Sequence, residues 1–209
     1  MEKCAPPRLP PRDRIVACAR DLFHRHGIRG IGVDAIAEAA ATNKMTLYRH
    51  FESKDALIVE CLRRTSDEAA MVWAKLEQAH PGDPLAQLRG WLKVASDYVT
   101  SDRRGCDMLN AAVELCEADH PAHRVIMEFK TAQRDRVAKL CHAAGFAQPD
   151  LLADALCLLL EGARVSRQSV GAEGPSAKLM RLGDALITSF ERRAGEESAQ
   201  TSPQPRTTA

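Results

Sequence analysis

No run of apolar residues in this chain approaches the roughly 20 needed to cross a bilayer. The greasiest stretch, Leu151 to Leu160, is ten residues long and is interrupted by Asp154. The N-terminal arm has prolines where a secretory leader needs an apolar centre. The expectation is a cytoplasmic protein with no membrane partner. The seven cysteines (Cys4, Cys18, Cys61, Cys106, Cys116, Cys141 and Cys157) form no CxxC pair, and their odd, scattered count speaks against a disulfide framework. Net charge is only +1, so no overall basic surplus announces nucleic acid. No segment alternates in polarity as a strand does, and none repeats. A phosphate-binding glycine loop, a GxSxG turn and an HExxH helix are all missing. An enzyme would have to assemble its site from scattered residues, so no catalytic residues and no cofactor are expected.

What is present is helical periodicity in a chain of ordinary globular composition, with 45% hydrophobic and 27% charged residues. Its 209 residues can bury a core without staples. Pro11 suits the first turn of a helix, and Ile15, Ala19, Leu22, Phe23 and His26 share one face up to a stop at Gly27. Two short helices are predicted next, at about 33–40 and 44–50, the second capped by Asn43. Ser53 caps a fourth that runs to about Gln78. Further helices are expected over 85–100, 108–118, 121–144 and 150–169, with a last one capped by Ser176 and reaching about Arg193. The fold class is all-α, about nine helices: an N-terminal helix-turn-helix three-helix domain plus a larger helical ligand-binding and dimerisation domain. The expected limits are a proline-rich arm at 1–10, the first domain at 11–55, the second at 56–193 and a disordered tail at 194–209. Between residues 1 and 49, nine Lys/Arg face five Asp/Glu, a surplus of four that suits a modest phosphate footprint.

The segment 12–60 resembles the DNA-binding domain of the TetR/AcrR family of transcriptional regulators. Ala19, Leu22, Phe23, Gly27, Val33, Ile36, Ala37, Ala40, Thr46, Leu47, Tyr48, His50, Phe51, Ser53, Lys54 and Leu57 carry the likeness, and the run Thr46 to Leu57 is its most specific part. Four positions depart from the family pattern: Ala41 replaces a common turn glycine, Thr42-Asn43 replace Val-Ser, and Gly32 replaces a Ser/Thr cap. Ala is less tolerant than Gly of a positive φ, so Ala41 marks the turn as a point of interest.

The resemblance implies that the third helix enters the major groove, with Lys44, Met45 and Thr46 at base edges. Thr42, Asn43, Tyr48, Arg49, His50 and Lys54 complete the expected DNA surface, with Tyr48, His50 and Lys54 on phosphates. The basic residues Lys3, Arg8 and Arg12 are expected to reach flanking backbone or the minor groove. Leu47 and Phe51 read as core.

The resemblance also implies an effector cavity among the middle helices and a dimer made by the last two. Leu152, Leu156, Leu159, Leu160, Leu179, Leu182, Leu186 and Phe190 are the expected dimer residues; a helix as apolar as 150–169 needs cover on several sides. For the pocket the candidates are Trp73, Trp91, Cys106, Met108, Leu109, Asn110, Glu114, Met127, Phe129 and Glu161, each with plain core or surface as its alternative. Cys106, beside Arg103 and Arg104, is a candidate sensor thiol. Cys116, Glu117, Asp119, His120 and His123 cluster as metal ligands do, but the His-x-x-His pair lacks a second partner motif, so no metal is expected.

The expected function is a ligand-responsive homodimeric repressor on double-stranded palindromic operator DNA, released by an apolar or aromatic small-molecule effector. A transcriptional activator of the same fold and a helical small-molecule binding protein remain alternatives at this point.

Overall fold

The computed structural model describes residues 9–102 and 104–191; residues 1–8 of the arm, Arg103 and everything from 192 lie outside the described residues. Nine α-helices account for the described chain, and no strand occurs among the described residues. Helix α1 spans Pro11–His26 and ends where Gly27, at φ +80°, donates its amide to the Phe23 carbonyl at 2.8 Å. Helix α2 spans Val33–Ala39 and α3 spans Lys44–His50. Asn43 caps α3 by accepting the Thr46 amide at 2.8 Å, and Ser53 caps α4 (Lys54–Ala79) by accepting the Ala56 amide at 3.0 Å. Each cap satisfies one of the amides that a helix start leaves without an internal partner.

Helix α5 spans Pro84–Ser101, α6 Asp107–Glu114, α7 Ala122–Ala143 and α8 Pro149–Val170. A 3₁₀ turn at Pro175–Lys178 leads into α9, Leu179–Phe190. Three bounds differ from the sequence reading: α9 ends at Phe190 rather than about 193, with Glu191 already extended, and two others have a clear cause. Helix α6 stops at Glu114 rather than 118, because Leu115 turns inward to 5% exposure and the Glu114 carboxylate accepts the Arg29 amide at 3.1 Å. Ser176 does not cap the last helix. It lies buried in the 3₁₀ turn, and the α-helix proper starts three residues later.

Two apolar cores form. One joins Ile15, Ile36, Leu47, Leu57 and Ile58 of the first four helices to Met108 and Ala111 of α6 and Val125 and Ile126 of α7. The other is built from Leu88 and Leu92 of α5, Leu152, Leu156 and Leu160 of α8, and Leu179 and Ile187 of α9. Full burial of each such side chain stabilises by about 1.5–3 kcal/mol, before conformational entropy is counted. Helix α6 is thus tied by packing to the N-terminal helices although it follows them by some fifty residues in sequence. Helix α9 approaches α5 so closely that a Cβ at Gly183 would run into the Leu92 side chain.

Candidate nucleic-acid interface and effector cavity

Helices α2 and α3 form the helix-turn-helix. Their connection bends at Ala41, which holds φ +49°, the only positive φ of a non-glycine residue among the described residues. The Thr42 amide closes the turn on the Ala37 carbonyl at 2.9 Å, and Arg14 Nε donates to the Ala40 carbonyl at 3.2 Å. Nothing in the sequence marked Arg14 for this role, because the contact joins residues 26 apart.

Helix α3 has an inner and an outer side. Leu47 is fully buried, while Met45 is 78% and Tyr48 42% exposed. Asn43, Lys44 and Arg49 are exposed on the same element, and Thr42, Thr46 and His50 are half-buried. The Lys44 ammonium lies 3.1 Å from Asp34 Oδ2. His50 Nε2 is enclosed without a hydrogen-bond partner among the described residues. Two assignments change. Lys54 donates to the Ile28 carbonyl at 2.6 Å, with its amine 5.8 Å from the centre of the Phe23 ring, so it ties α4 to the loop after α1 instead of standing free for phosphate. Burial holds its pKa below the usual lysine value. Arg12 belongs to α1, pairs with Glu60 at 3.0 Å and lies over the Phe51 ring, rather than extending from the arm. Lys3 and Arg8 lie outside the described residues.

A cavity of about 320 Å³ opens between α4, α5, α7 and α8, with Arg20 of α1 and Asp107 of α6 also in its wall. Its apolar wall includes Trp73 and Trp91, whose rings stack with centroids 5.8 Å apart and planes 10° from parallel. Of the residues named from sequence, Trp73, Trp91, Cys106 and Phe129 line it. The others do not. Met108 is fully buried in the first core, and Met127 is 63% exposed on the outer side of α7. Leu109, Asn110 and Glu114 face a separate open cleft beside Val113 and Gln168. Glu161 stands behind the cavity, paired with Lys130 and Arg164. The polar members that sequence did not foresee include Arg20, Asp107, Tyr98, Gln133 and Arg164.

Electrostatics around Arg20 and Asp107 join the cavity to α1. Arg20 binds Glu68 through both terminal nitrogens at 2.6 Å. Asp107 accepts from His24 at 2.7 Å and from the Thr65 hydroxyl at 3.3 Å. His24 also meets Asp102 at 3.0 Å, and these contacts, led by the bond to Asp107, raise its pKa above the usual histidine value against the effect of burial. Tyr98 donates to the Gly105 carbonyl at 3.3 Å, and burial pushes its phenol pKa up.

The proposed dimer residues separate into two groups. Leu152, Leu156, Leu160 and Leu179 are at most 1% exposed inside the second core, which removes them from any face available to a second subunit. Leu159, Leu186 and Phe190 are half-buried and Leu182 is 44% exposed. The open face of α8 instead carries Leu151 (53% exposed), Leu158 (72%) and Val165 (51%).

The profile described as "Bacterial regulatory proteins, tetR family" matches residues 15–61. The probable acrEF/envCD operon repressor of Escherichia coli K12 is 26% identical over 160 residues, 74% of this chain and 73% of that protein. Among solved structures, a putative TetR transcriptional regulator (sav143) from Streptomyces avermitilis is 31% identical and superposes with a TM-score of 0.74, covering 87% of this chain and 98% of that one. SCO4454, a TetR-family transcriptional regulator from Streptomyces coelicolor, is 25% identical with a TM-score of 0.78, covering 87% and 96%. No helix among the described residues is long and apolar enough to cross a membrane. With nearly the full length of a 31%-identical regulator matched in sequence and fold, the chain belongs to the TetR family: it is a helix-turn-helix transcriptional regulator, not an enzyme.

Proposed function

We propose that the protein is a cytoplasmic homodimeric repressor that grips a palindromic operator with two copies of α3 and releases it when a small effector enters the cavity. The observation that carries this reading is the two-sidedness of α3: Leu47 is fully buried, while Lys44, Met45, Tyr48 and Arg49 stand outward on a capped helix. Base edges would be met by Lys44, Met45 and Thr46, and phosphates by Tyr48 and Arg49. Two such helices must be held about 34 Å apart to enter successive major grooves.

The second subunit is best accommodated on Leu151, Ala155, Leu158, Gly162 and Val165 of α8, one stripe of that helix, beside Leu182 and Leu186 of α9. Paired across a two-fold axis, these helices make a four-helix interface in which each copy covers the other's exposed leucines. Coupling is supported by Arg20 and Asp107, which line the cavity and also bind, or belong to, elements of the first core. A coupling of about 1–3 kcal/mol suffices, and it is reciprocal: DNA must weaken the effector as the effector weakens DNA.

Retardation of the chain's own upstream DNA, with Lys44→Ala and Tyr48→Phe beside the wild type, tests the reading. Both variants are expected to bind less tightly, Lys44→Ala with a shallower salt dependence. Unchanged retardation and salt slope in both overturns the assignment, and a monomer in light scattering at operator-binding concentrations overturns the dimer.

A further inference from the structure

We propose that the cavity is built for an organic anion with a flat apolar body, and that the guanidinium of Arg164 receives its carboxylate. This rests on the effector-binding reading and names the ligand class. Arg164 lies on the buried side of α8, 9% exposed, and forms part of the cavity wall. Its one hydrogen bond among the described residues runs from a terminal nitrogen to Glu161 Oε1 at 3.0 Å, and its enclosed Nε has none. That same Glu161 oxygen accepts from Lys130. One carboxylate therefore faces two cations, and a positive charge is left over in a poorly solvated place. Burying a charge is costly unless it is paired and hydrogen-bonded.

The other charges of the wall are already matched. Arg20 and Glu68 hold each other at both ends of the guanidinium, and Asp107 is taken by His24 and Thr65. Arg164 alone among the cavity's ionic groups is under-compensated, and the planar fork of arginine suits a carboxylate in two-point contact. A cationic ligand is disfavoured by the same surplus. It is disfavoured again at Trp73, because the Arg136 guanidinium already lies 5.8 Å from the ring centre. The stacked Trp73–Trp91 pair, with Val72 and Phe129, presents a flat apolar wall to the ligand's body. At about 320 Å³ the space falls in the range of small-molecule sites.

Both tryptophans of the chain line this cavity, so indole emission reports on it without interference from elsewhere. The purified full chain is titrated with 4-tert-butylbenzoate, 4-tert-butylbenzamide and 4-tert-butylbenzylammonium, exciting at the red edge of indole absorption where all three are transparent. The benzoate is expected to bind about tenfold or more tightly than the amide, the value of one charge-assisted contact. Arg164→Gln should bring the benzoate down to the amide's affinity and leave the amide unchanged, while Glu161→Gln, which frees the guanidinium, should tighten the benzoate. Amide or ammonium binding as tightly as benzoate, a benzoate preference that survives Arg164→Gln, or no change in emission with any probe overturns the proposal. Should Arg164→Gln lose its helical circular dichroism, the wild-type ratio and the Glu161→Gln result decide. Operator retardation without probe is run in parallel. DNA binding without a benzoate preference sinks the ligand class and leaves the regulator; a benzoate preference without DNA binding sinks the regulator and upholds the ligand class.

Discussion

His24 donates through Nδ1 to Asp107 at 2.7 Å while its Nε2 lies 3.0 Å from Asp102, so one imidazole is clamped between two carboxylates. An imidazole can donate from both nitrogens only when protonated. The clamp joins α1 to the end of α5 and the start of α6, with the Thr65 hydroxyl donating to the other oxygen of Asp107. The folded-state pKa of His24 is raised. Its contribution to stability is therefore complete below the unfolded value of about 6.5 and fades as pH climbs through the folded value. Urea midpoints measured from pH 6 to pH 9 should fall more in the wild type than in His24→Gln. Parallel pH profiles for the two proteins would show that the clamp does not titrate as the geometry implies.

The turn of the reading head holds a strained residue. Ala41 sits at φ +49°, where a Cβ costs roughly 1–2 kcal/mol. Ala41→Gly should relieve this, less the greater freedom of glycine in the unfolded chain, for a net gain of about 0.5–1 kcal/mol. The measurement is equilibrium unfolding; a loss of stability would mean that the turn is not held in this conformation in solution.

Asp34 occupies the ammonium that the proposed interface needs. The Lys44–Asp34 pair is well exposed, so it contributes about 0–1 kcal/mol and opens readily to a competing phosphate or base. Asp34→Asn should tighten operator binding severalfold by removing an acid from a surface facing phosphates. Lys44→Ala should weaken it and flatten the salt slope, because the variant brings one cation fewer to the polyanion. Fluorescence anisotropy over a salt series separates the two; weaker binding by Asp34→Asn would contradict the arrangement.

Leu156 and Leu158 stand two residues apart on α8 and should fail in different ways. Leu156 is 1% exposed in the core, so Leu156→Ala should cost about 2–5 kcal/mol of stability. Leu158 is 72% exposed, so Leu158→Arg should leave the subunit folded and abolish the dimer. Thermal unfolding and light scattering on the same preparations check both; a dimeric Leu158→Arg would move the interface elsewhere.

Local signals were readable in the residues, long-range placement less so. Pro11, Gly27, Asn43 and Ser53 set helix ends through contacts within a turn, and their positions matched because such chemistry is self-contained. The faces of α8 were not separable, because Leu152, Leu156, Leu158 and Leu159 are chemically alike and only packing against α7 and α9 decides which are enclosed. Met127 and Met108 failed as pocket candidates for the same reason of phase. Trp73, Trp91 and Phe129 reached the cavity because large aromatics seek cover wherever it is offered. Arg164 had a readable signal: it follows Leu156, Leu160 and Ala163 on their side of the helix, a charge in the inward register of an apolar element. Arg20 had none, since its place in the wall depends on residues more than forty positions away.

Helix α4 runs 26 residues from the Ser53 cap without an internal glycine or proline, a rod of about 39 Å. Such a rod has no joint in which to absorb a disturbance along its length. Trp73 sits about 28 Å from the Lys54 tip, so in the proposed reading a guest pressing on that indole would swing the rod, and a swing of about five degrees would move the tip by roughly 2–3 Å. In the proposed dimer that displacement would be mirrored and would set the gap between the two copies of α3 against a fixed helical pitch, so stiffness would turn a small nudge into a misfit.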